Sequence, residues 1–134
     1  MTNQEKKQWL KRYLPIVQEI DRLIDEKQLW AERATKISSS YSDMPKGGQT
    51  NKIQSAAAER DRIDRQIDEE YRKATSIRDE ITLAINTIDD HEQRVLLKYR
   101  YIDGVKWWQI GEKLHCDTMT IWRKHGNALT RLQI

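Results

Sequence analysis

The sequence of 134 residues is poor in turn-forming and β-favouring residues, since it contains no phenylalanine, two prolines and five glycines. A β-sandwich or barrel needs frequent turns and many β-branched or aromatic residues, so this composition argues against those folds. Hydrophobic residues make up 37% of the chain and charged residues 34%. Ordinary globular domains have about 45–50% and about 25%. This balance suits long, thin helices, and we predict an all-α fold.

The chain also lacks the features of secreted and membrane proteins. Its single cysteine, Cys116, cannot form an intrachain disulfide, and no apolar run approaches the roughly 18 residues that a membrane span requires. The first residues do not combine a basic start with an apolar stretch and a small-residue cleavage site. We therefore expect a cytoplasmic protein.

Residue patterns for catalysis are missing as well. The histidines His91, His115 and His125 lie far apart and have no cysteine or carboxylate at the spacing of a metal site. The Gly47-Gly48 pair is not followed by the Lys-Ser/Thr of a phosphate-binding loop. The sequence thus predicts no enzyme activity, no cofactor and no metal.

What the first part of the chain does contain is helical periodicity. Apolar residues from Trp9 to Ile37 recur at spacings of three and four, which indicates one amphipathic helix of roughly 30 residues. Pro15 is expected to bend or restart this helix near Tyr13. A heptad pattern follows, and its positions are Ile53, Ala56, Arg60, Ile63, Ile67, Glu70, Ala74, Ile77, Ile81, Ala84 and Ile88.

These two patterns predict that residues 1–88 form an antiparallel helical hairpin around a loop at 38–52. Within that loop, Tyr41 and Met44 are expected to attach the loop to the helices, and contact with a partner is the alternative. Because a two-helix hairpin leaves an apolar side exposed, we expect it to serve oligomerisation, most simply as a dimer, or partner binding.

Residues 89–134 predict three shorter helices with sharp turns. Asp90 caps the first, which ends near Gly104; the second runs roughly over 107–114; the third begins behind Asp117. Between the last two, Gly111 permits a close crossing, Leu114 and Cys116 fill the corner and Ile121 locks the helices together. This spacing predicts a helix-turn-helix DNA-binding domain, with an ordinary helical corner as the alternative.

The same region resembles a known family. The stretches DHEQRVLLKYRYIDG at 90–104, WQIGEKL at 108–114 and ALTRL at 128–132, with Thr120-Ile121 between them, are similar to region 4 of sigma-70-type factors. With the SYSDMPKGG stretch at 40–48, the whole chain resembles small phage and prophage proteins of Gram-positive bacteria, related to the ArpU- and RinA-type late regulators.

The resemblance implies a sequence-specific transcriptional regulator of phage late genes that acts with host RNA polymerase in the cytoplasm of the bacterial host cell. The alternative is the small terminase subunit of a phage DNA-packaging machine. Small terminases usually carry the DNA-binding domain at the N-terminus, whereas here it is predicted at the C-terminus. That order favours the regulator.

The resemblance also implies which residues meet the duplex. The predicted DNA-binding residues are Thr118, Met119, Thr120, Trp122, Arg123, Lys124, Asn127 and Arg131. Arg123 can donate to guanine O6 and N7, Thr118 can bond either groove edge, and Met119 or Trp122 can touch a thymine methyl. A buried anchor is the alternative for Trp122. Of Trp107 and Trp108, one is expected in the core, while the other could face the duplex or polymerase.

Charge supports this assignment independently of the resemblance. The whole chain carries 24 Lys and Arg against 21 Asp and Glu, a net charge of only +3. In contrast, residues 118–134 contain the basic residues Arg123, Lys124 and Arg131 and no acidic residue. A basic helix without neighbouring acids suits contact with phosphates, which is the role expected of Lys124 and Arg131.

Overall fold

The structure, a computed structural model, describes the backbone of residues 1–40 and 46–134 and the side chains of 1–36 and 51–134. This part of the chain contains six helices and no strand, which confirms the all-α prediction. The helices are α1 (Asn3–Leu10), α2 (Leu14–Ser40), α3 (Lys46–Ile85), α4 (His91–Tyr101), α5 (Trp107–Leu114) and α6 (Thr118–Arg131). None of the described helices is long and apolar enough to cross a membrane.

The apolar stripe from Trp9 to Ile37 is divided between two helices, so of the two outcomes predicted at Pro15, a bend or a restart, the structure shows the restart. α1 has its own start at Thr2, whose hydroxyl accepts from the Glu5 backbone N–H at 3.2 Å while the Glu5 carboxylate accepts from the Thr2 N–H at 2.8 Å. This reciprocal pair is a capping box. The predicted restart near Tyr13 is confirmed, because α2 begins at Leu14 and has Pro15 in its first turn. The N–H groups of a first turn have no partner within the helix, so the missing N–H of proline costs no helical hydrogen bond there.

The predicted loop at 38–52 is wrong at both edges. α2 continues to Ser40 and α3 already begins at Lys46, so Gly47 and Gly48 lie inside a helix. Glycine in a helix is less stable than alanine by about 1 kcal/mol. Extending a long helix that is already formed avoids the unfavourable nucleation step, so the helix can include these glycines. Tyr41 and Met44, and the roles predicted for them, lie outside the described residues.

The predicted heptad is confirmed as the inward face of α3, with its last position, Ile88, just after the end of that helix. Of its eleven positions none is exposed; Ala56, Ile63, Ala74, Ile81, Ala84 and Ile88 are buried and the others are half-buried. The two flawed positions, Arg60 and Glu70, are among the half-buried ones.

Packing divides the described chain into two compact units. One unit is Val17–Lys73, which comprises most of α2 and the first part of α3. Among the side chains of this unit that the structure describes, the buried ones are Leu23 from α2 and Ala56 and Ile63 from α3. Between the two helices Lys27 pairs with Asp64 at 2.6 Å.

The other unit consists of Met1–Ile16 and Ala74–Ile134. Its core is formed by Leu10, Ile81, Ala84, Ile85, Ile88, Leu96, Leu97, Tyr101, Ile110, Ile121, Ala128, Leu129 and Leu132. α1 packs on α6, and the ammonium of Lys6 donates to the Leu129 carbonyl at 2.9 Å. A cation bonded to the last carbonyls of a helix stabilises its C-terminus.

The functional division drawn from the sequence, 1–88 for oligomerisation or partner binding and 89–134 for DNA binding, stays a prediction. The packing units group residues differently, because α1 and the end of α3 share a core with the C-terminal helices.

Candidate nucleic-acid interface

Two of the three C-terminal helices, α4 and α6, begin at an aspartate that caps the first turn. The Asp90 carboxylate accepts from the Gln93 N–H at 3.1 Å and starts α4, and the Asp117 carboxylate accepts from the Thr120 N–H at 2.7 Å and starts α6. Hydrogen bonds from the Thr120 side chain and backbone hold the pKa of Asp117 below its ordinary value. These bounds match those predicted, because a side-chain acceptor at the N-cap satisfies otherwise unbonded N–H groups.

The corner between α5 and α6 is tight. A Cβ atom on Gly111 would lie 2.8 Å from the Cys116 carbonyl oxygen and 3.8 Å from Cγ1 of Ile121. His115 turns the chain with a φ of 57°, which is left-handed backbone. Ile121 is fully buried, while Leu114 and Cys116 are half-buried against the core. The close crossing predicted at Gly111 is therefore confirmed.

α6 has one buried and one exposed face. Ile121, His125, Ala128 and Leu129 point into the core. Of the residues predicted to meet DNA, the exposed ones are Met119, Trp122, Arg123, Asn127 and Arg131, and the half-buried ones are Thr118, Thr120 and Lys124.

Two large apolar side chains on the exposed face of α6 are open to solvent. Met119 is 73% exposed and Trp122 53% exposed. The buried-anchor alternative for Trp122 is thus wrong in this structure. On α5, Trp108 is 55% exposed whereas Trp107 packs partly buried against the core. That division between the two tryptophans is the one predicted.

Lys124 occupies a different environment from the other basic residues of α6. Its ammonium forms an ion pair with Glu92 of α4 and lies 3.4 Å from the Cys116 sulfur. The hydrogen bond to Glu92, followed by that to Cys116, raises the pKa of Lys124. The structure therefore uses Lys124 to link α6 to α4, and a contact between Lys124 and phosphate would have to compete with Glu92.

Arg123 is the cation that remains available beside the exposed Met119 and Trp122. Its guanidinium presents planar donors that can bind a carboxylate, a phosphate or the O6 and N7 acceptors of guanine. Because 118–134 contains no acid, the nearest acid in sequence is Asp117, which is engaged as the cap of α6. The exposed face of α6 thus combines the cations Arg123 and Arg131, apolar surface and the amide of Asn127.

The buried side of α6 contains a polar contact that sequence reasoning missed. The Tyr101 hydroxyl lies 2.7 Å from Nε2 of His125, and the imidazole also meets the Trp107 ring edge-on with centroids 4.7 Å apart. Burial raises the pKa of Tyr101 to about 12. The spacing 121, 125, 128 and 132 continues one helical stripe, and that signal could have placed His125 in the core.

Acidification is expected to destabilise this unit through His125. Burial, with the charges of Lys7, Arg100 and Lys11, lowers the pKa of His125 to about 4 from an ordinary 6.5. Between those values the unfolded chain binds a proton that the folded chain does not, so stability is lost as pH falls. Going from pH 7 to pH 5 should lower the free energy of unfolding by about 1–2 kcal/mol through this group.

The measurement is urea unfolding at the two pH values. His125→Gln should reduce the pH dependence, whereas His91→Gln, which changes an exposed imidazole, should leave it as in the unmodified chain. Equal pH dependence in all three proteins would show that His125 is not the responsible group.

No three or more His, Cys, Asp or Glu residues in the described part of the chain are grouped to hold a metal ion. A family model described as "Protein of unknown function (DUF1492)" matches residues 35–133. No curated protein and no solved structure matches the chain. The family match extends over α3 to α6 and so includes the exposed face of α6.

Proposed function

The chain belongs to this family of proteins of unknown function, and from the surface of α6 we propose that it binds double-stranded DNA in a sequence-specific manner and regulates transcription. α5 and α6 act as a helix-turn-helix whose second helix enters the major groove. The observation that carries this proposal is the exposed face of α6, where Arg123 and Asn127 lie beside the 73% exposed Met119 and the 53% exposed Trp122.

The dimensions of α6 fit the major groove of DNA. α6 has 14 residues, which is about 21 Å of helix at about 1.5 Å per residue, and the major groove is about 12 Å wide. The core holds α6 by Ile121, Ala128 and Leu129, and α1 contacts it as well. A rigid helix places donors at base edges more accurately than a loop does.

The residues divide into two kinds of contact. Arg123 reads guanine through O6 and N7, Asn127 and Thr118 bond base edges or adjacent phosphates, and Met119 and Trp122 contact thymine methyl groups. Arg131 and Thr120 lie nearer the phosphates. Lys124 supports the interface by bonding Glu92 and contacts phosphate only where DNA displaces that partner.

The other parts of the chain extend this proposal. α2 and α3 form an antiparallel hairpin that serves oligomerisation, and the similarity of 90–132 to sigma region 4 favours action beside host RNA polymerase on phage late genes. The exposed Trp108 on α5 is available to the duplex or to the polymerase.

The proposal is tested by selecting binding sites for the full chain from a random-sequence duplex library at about 150 mM salt, where non-specific, counterion-driven binding is weakened. We expect enrichment of a defined sequence over successive rounds. A Trp122→Ala, Arg123→Ala double variant, changed only at exposed positions, should enrich little or nothing. Failure of the unmodified chain to enrich any sequence would contradict sequence-specific DNA binding.

A further inference from the structure

The N-terminal helix α1 lies against one flank of α6. The side-chain amide of Asn3 donates to the Gly126 carbonyl at 3.4 Å and to the Thr130 hydroxyl at 3.1 Å. Residues four positions apart share one side of a helix, so Gly126 and Thr130 lie on the same side of α6 as the exposed Trp122. α1 therefore packs beside the face that the proposed function assigns to DNA.

A row of cations follows on the same side of α1. Lys7 and Lys11 lie four and eight residues after this asparagine. Lys7 is half-buried and Lys11 exposed, and a lysine can pack its stem while the ammonium stays in water. Arg100 of α4 belongs to the same cluster. Burial is the first cause of the low pKa of His125, and the charges of these three residues are the other causes.

None of the three cations is neutralised by an acid of the described chain. Among the residues whose side chains the structure describes, no ion pair includes any of the three. Other cations of α1 are engaged, since Lys6 bonds carbonyls at the end of α6 and Arg12 pairs with Glu80. The one acid among residues 1–18, Glu5, takes part in the cap of α1. Positive charge thus collects beside α6 without an opposing acid.

We infer that Lys7, Lys11 and Arg100 form a cationic strip that binds the phosphates of one strand of the duplex, an inference that rests on the proposed function for its ligand. A helix in the major groove, which is about 12 Å wide, has a phosphate backbone on each side. Packed helices have axes about 8–10 Å apart, so α1 lies over one of these backbones and not in the groove. Such contacts set the position and orientation of a recognition helix.

Continuity with α6 favours a duplex as the occupant of the cationic strip. Residues 118–134 contain no acid, so no residue of α6 repels a phosphate backbone that passes from its exposed face to α1. On the flank that α1 covers, the side chains of Trp122 and Thr130 carry no charge. The cationic strip supplies there the positive charge that α6 itself does not. An acidic protein is the alternative occupant, and the experiment distinguishes it.

The test is the affinity of the full chain for the selected duplex and for a scrambled duplex of equal length, between about 50 and 200 mM salt. Each phosphate contact contributes about 0.9 to the slope of log affinity against log salt. Lys11→Gln should therefore lower this slope by about 0.9, and the Lys7→Gln, Lys11→Gln double variant by about 2. Both losses should be equal on the two duplexes, because phosphates carry no sequence.

Two further variants separate a phosphate contact from other effects. Arg78→Gln removes one positive charge from a partly exposed position of α3 and should leave the slope as in the unmodified chain. The Lys7→Arg, Lys11→Arg double variant keeps both charges and should also keep the slope. Lysine, arginine and glutamine have similar helix propensities, so none of these changes should unfold α1.

The outcomes separate this inference from the proposed function. A slope unchanged by Lys11→Gln and by the glutamine double variant would overturn the cationic strip and leave sequence reading by α6 intact. If no sequence is enriched from the library, a slope on the scrambled duplex that depends on Lys11 would keep the cationic strip and remove sequence reading. Failure of the unmodified chain to bind either duplex at about 50 mM salt would overturn both and favour an acidic protein.

Discussion

Residues 89–134 expressed alone are expected not to fold into a cooperative domain, although they contain all of α4, α5 and α6. The core that supports these helices includes Leu10 from α1 and Ile81, Ala84, Ile85 and Ile88 from the end of α3 and the residues after it. Burial of the four leucine and isoleucine side chains among them stabilises the fold by about 6–12 kcal/mol in total. Whole domains are stable by only about 5–15 kcal/mol.

Circular dichroism during heating and amide chemical-shift dispersion distinguish the possibilities. The fragment should lose its helical signal gradually and show narrow dispersion at about 25 °C, whereas the full chain should melt in a cooperative transition. A cooperative transition of the isolated fragment would show that α1 and the end of α3 are accessory. For the same reason DNA-binding assays require the full chain.

Gly111→Ala is expected to lower the free energy of unfolding by about 1–3 kcal/mol, the usual cost of forcing an added methyl group into a packed site. The new Cβ atom would lie 2.8 Å from the carbonyl oxygen of Cys116. That oxygen belongs to the backbone of the turn before α6, so the helices must move apart to accept the methyl group. The α5–α6 corner, and with it the angle of the exposed face, should change.

Gly126→Ala is the matched control, since it makes the same substitution on a helix where a Cβ atom would meet nothing within 4 Å. It should raise the free energy of unfolding by about 0.5–1 kcal/mol, because alanine favours helix more than glycine does. Chemical denaturation of both variants provides the comparison. If the two substitutions shift the free energy of unfolding in the same direction, close packing does not explain why residue 111 is glycine.

The helices of the C-terminal region were the most predictable, because their ends carry local chemical signals. Asp90 and Asp117 are side-chain acceptors directly before apolar stripes, and both cap helices in the structure. Gly104 has a φ of 68° just after α4, the conformation that makes glycine common at helix ends. The α3 heptad was predictable for a similar reason, since a regular apolar period identifies one face.

Other features depended on contacts between distant parts of the chain. Trp9 and Leu10 fit the apolar stripe of a long first helix, but they lie in the separate helix α1, which packs on α6, where Lys6 bonds the Leu129 carbonyl. The loop predicted at 38–52 followed the polar and glycine-rich composition, which weakens a helix without preventing it.

In the candidate interface, the resemblance to sigma region 4 and the residue types pointed to Arg123 and Met119, both of which are exposed. They did not reveal that Lys124 pairs with Glu92, because Glu92 lies 32 residues earlier in the chain. The Tyr101–His125 contact was missed for the same reason, since its two residues are 24 positions apart in the chain. A side chain on the boundary between two helix faces is assigned only when its partner on another helix is known.

The most direct test of sequence-specific DNA binding is the affinity of the Arg123→Ala variant for the selected duplex and for a scrambled duplex of equal length. We expect a loss of about 1–3 kcal/mol on the selected duplex, about 5- to 150-fold in affinity, and a much smaller loss on the scrambled one. Arg78→Ala, which removes a partly exposed arginine from α3, should bind both as the unmodified chain does. Equal losses on the two duplexes, or no loss on either, would contradict base reading by α6.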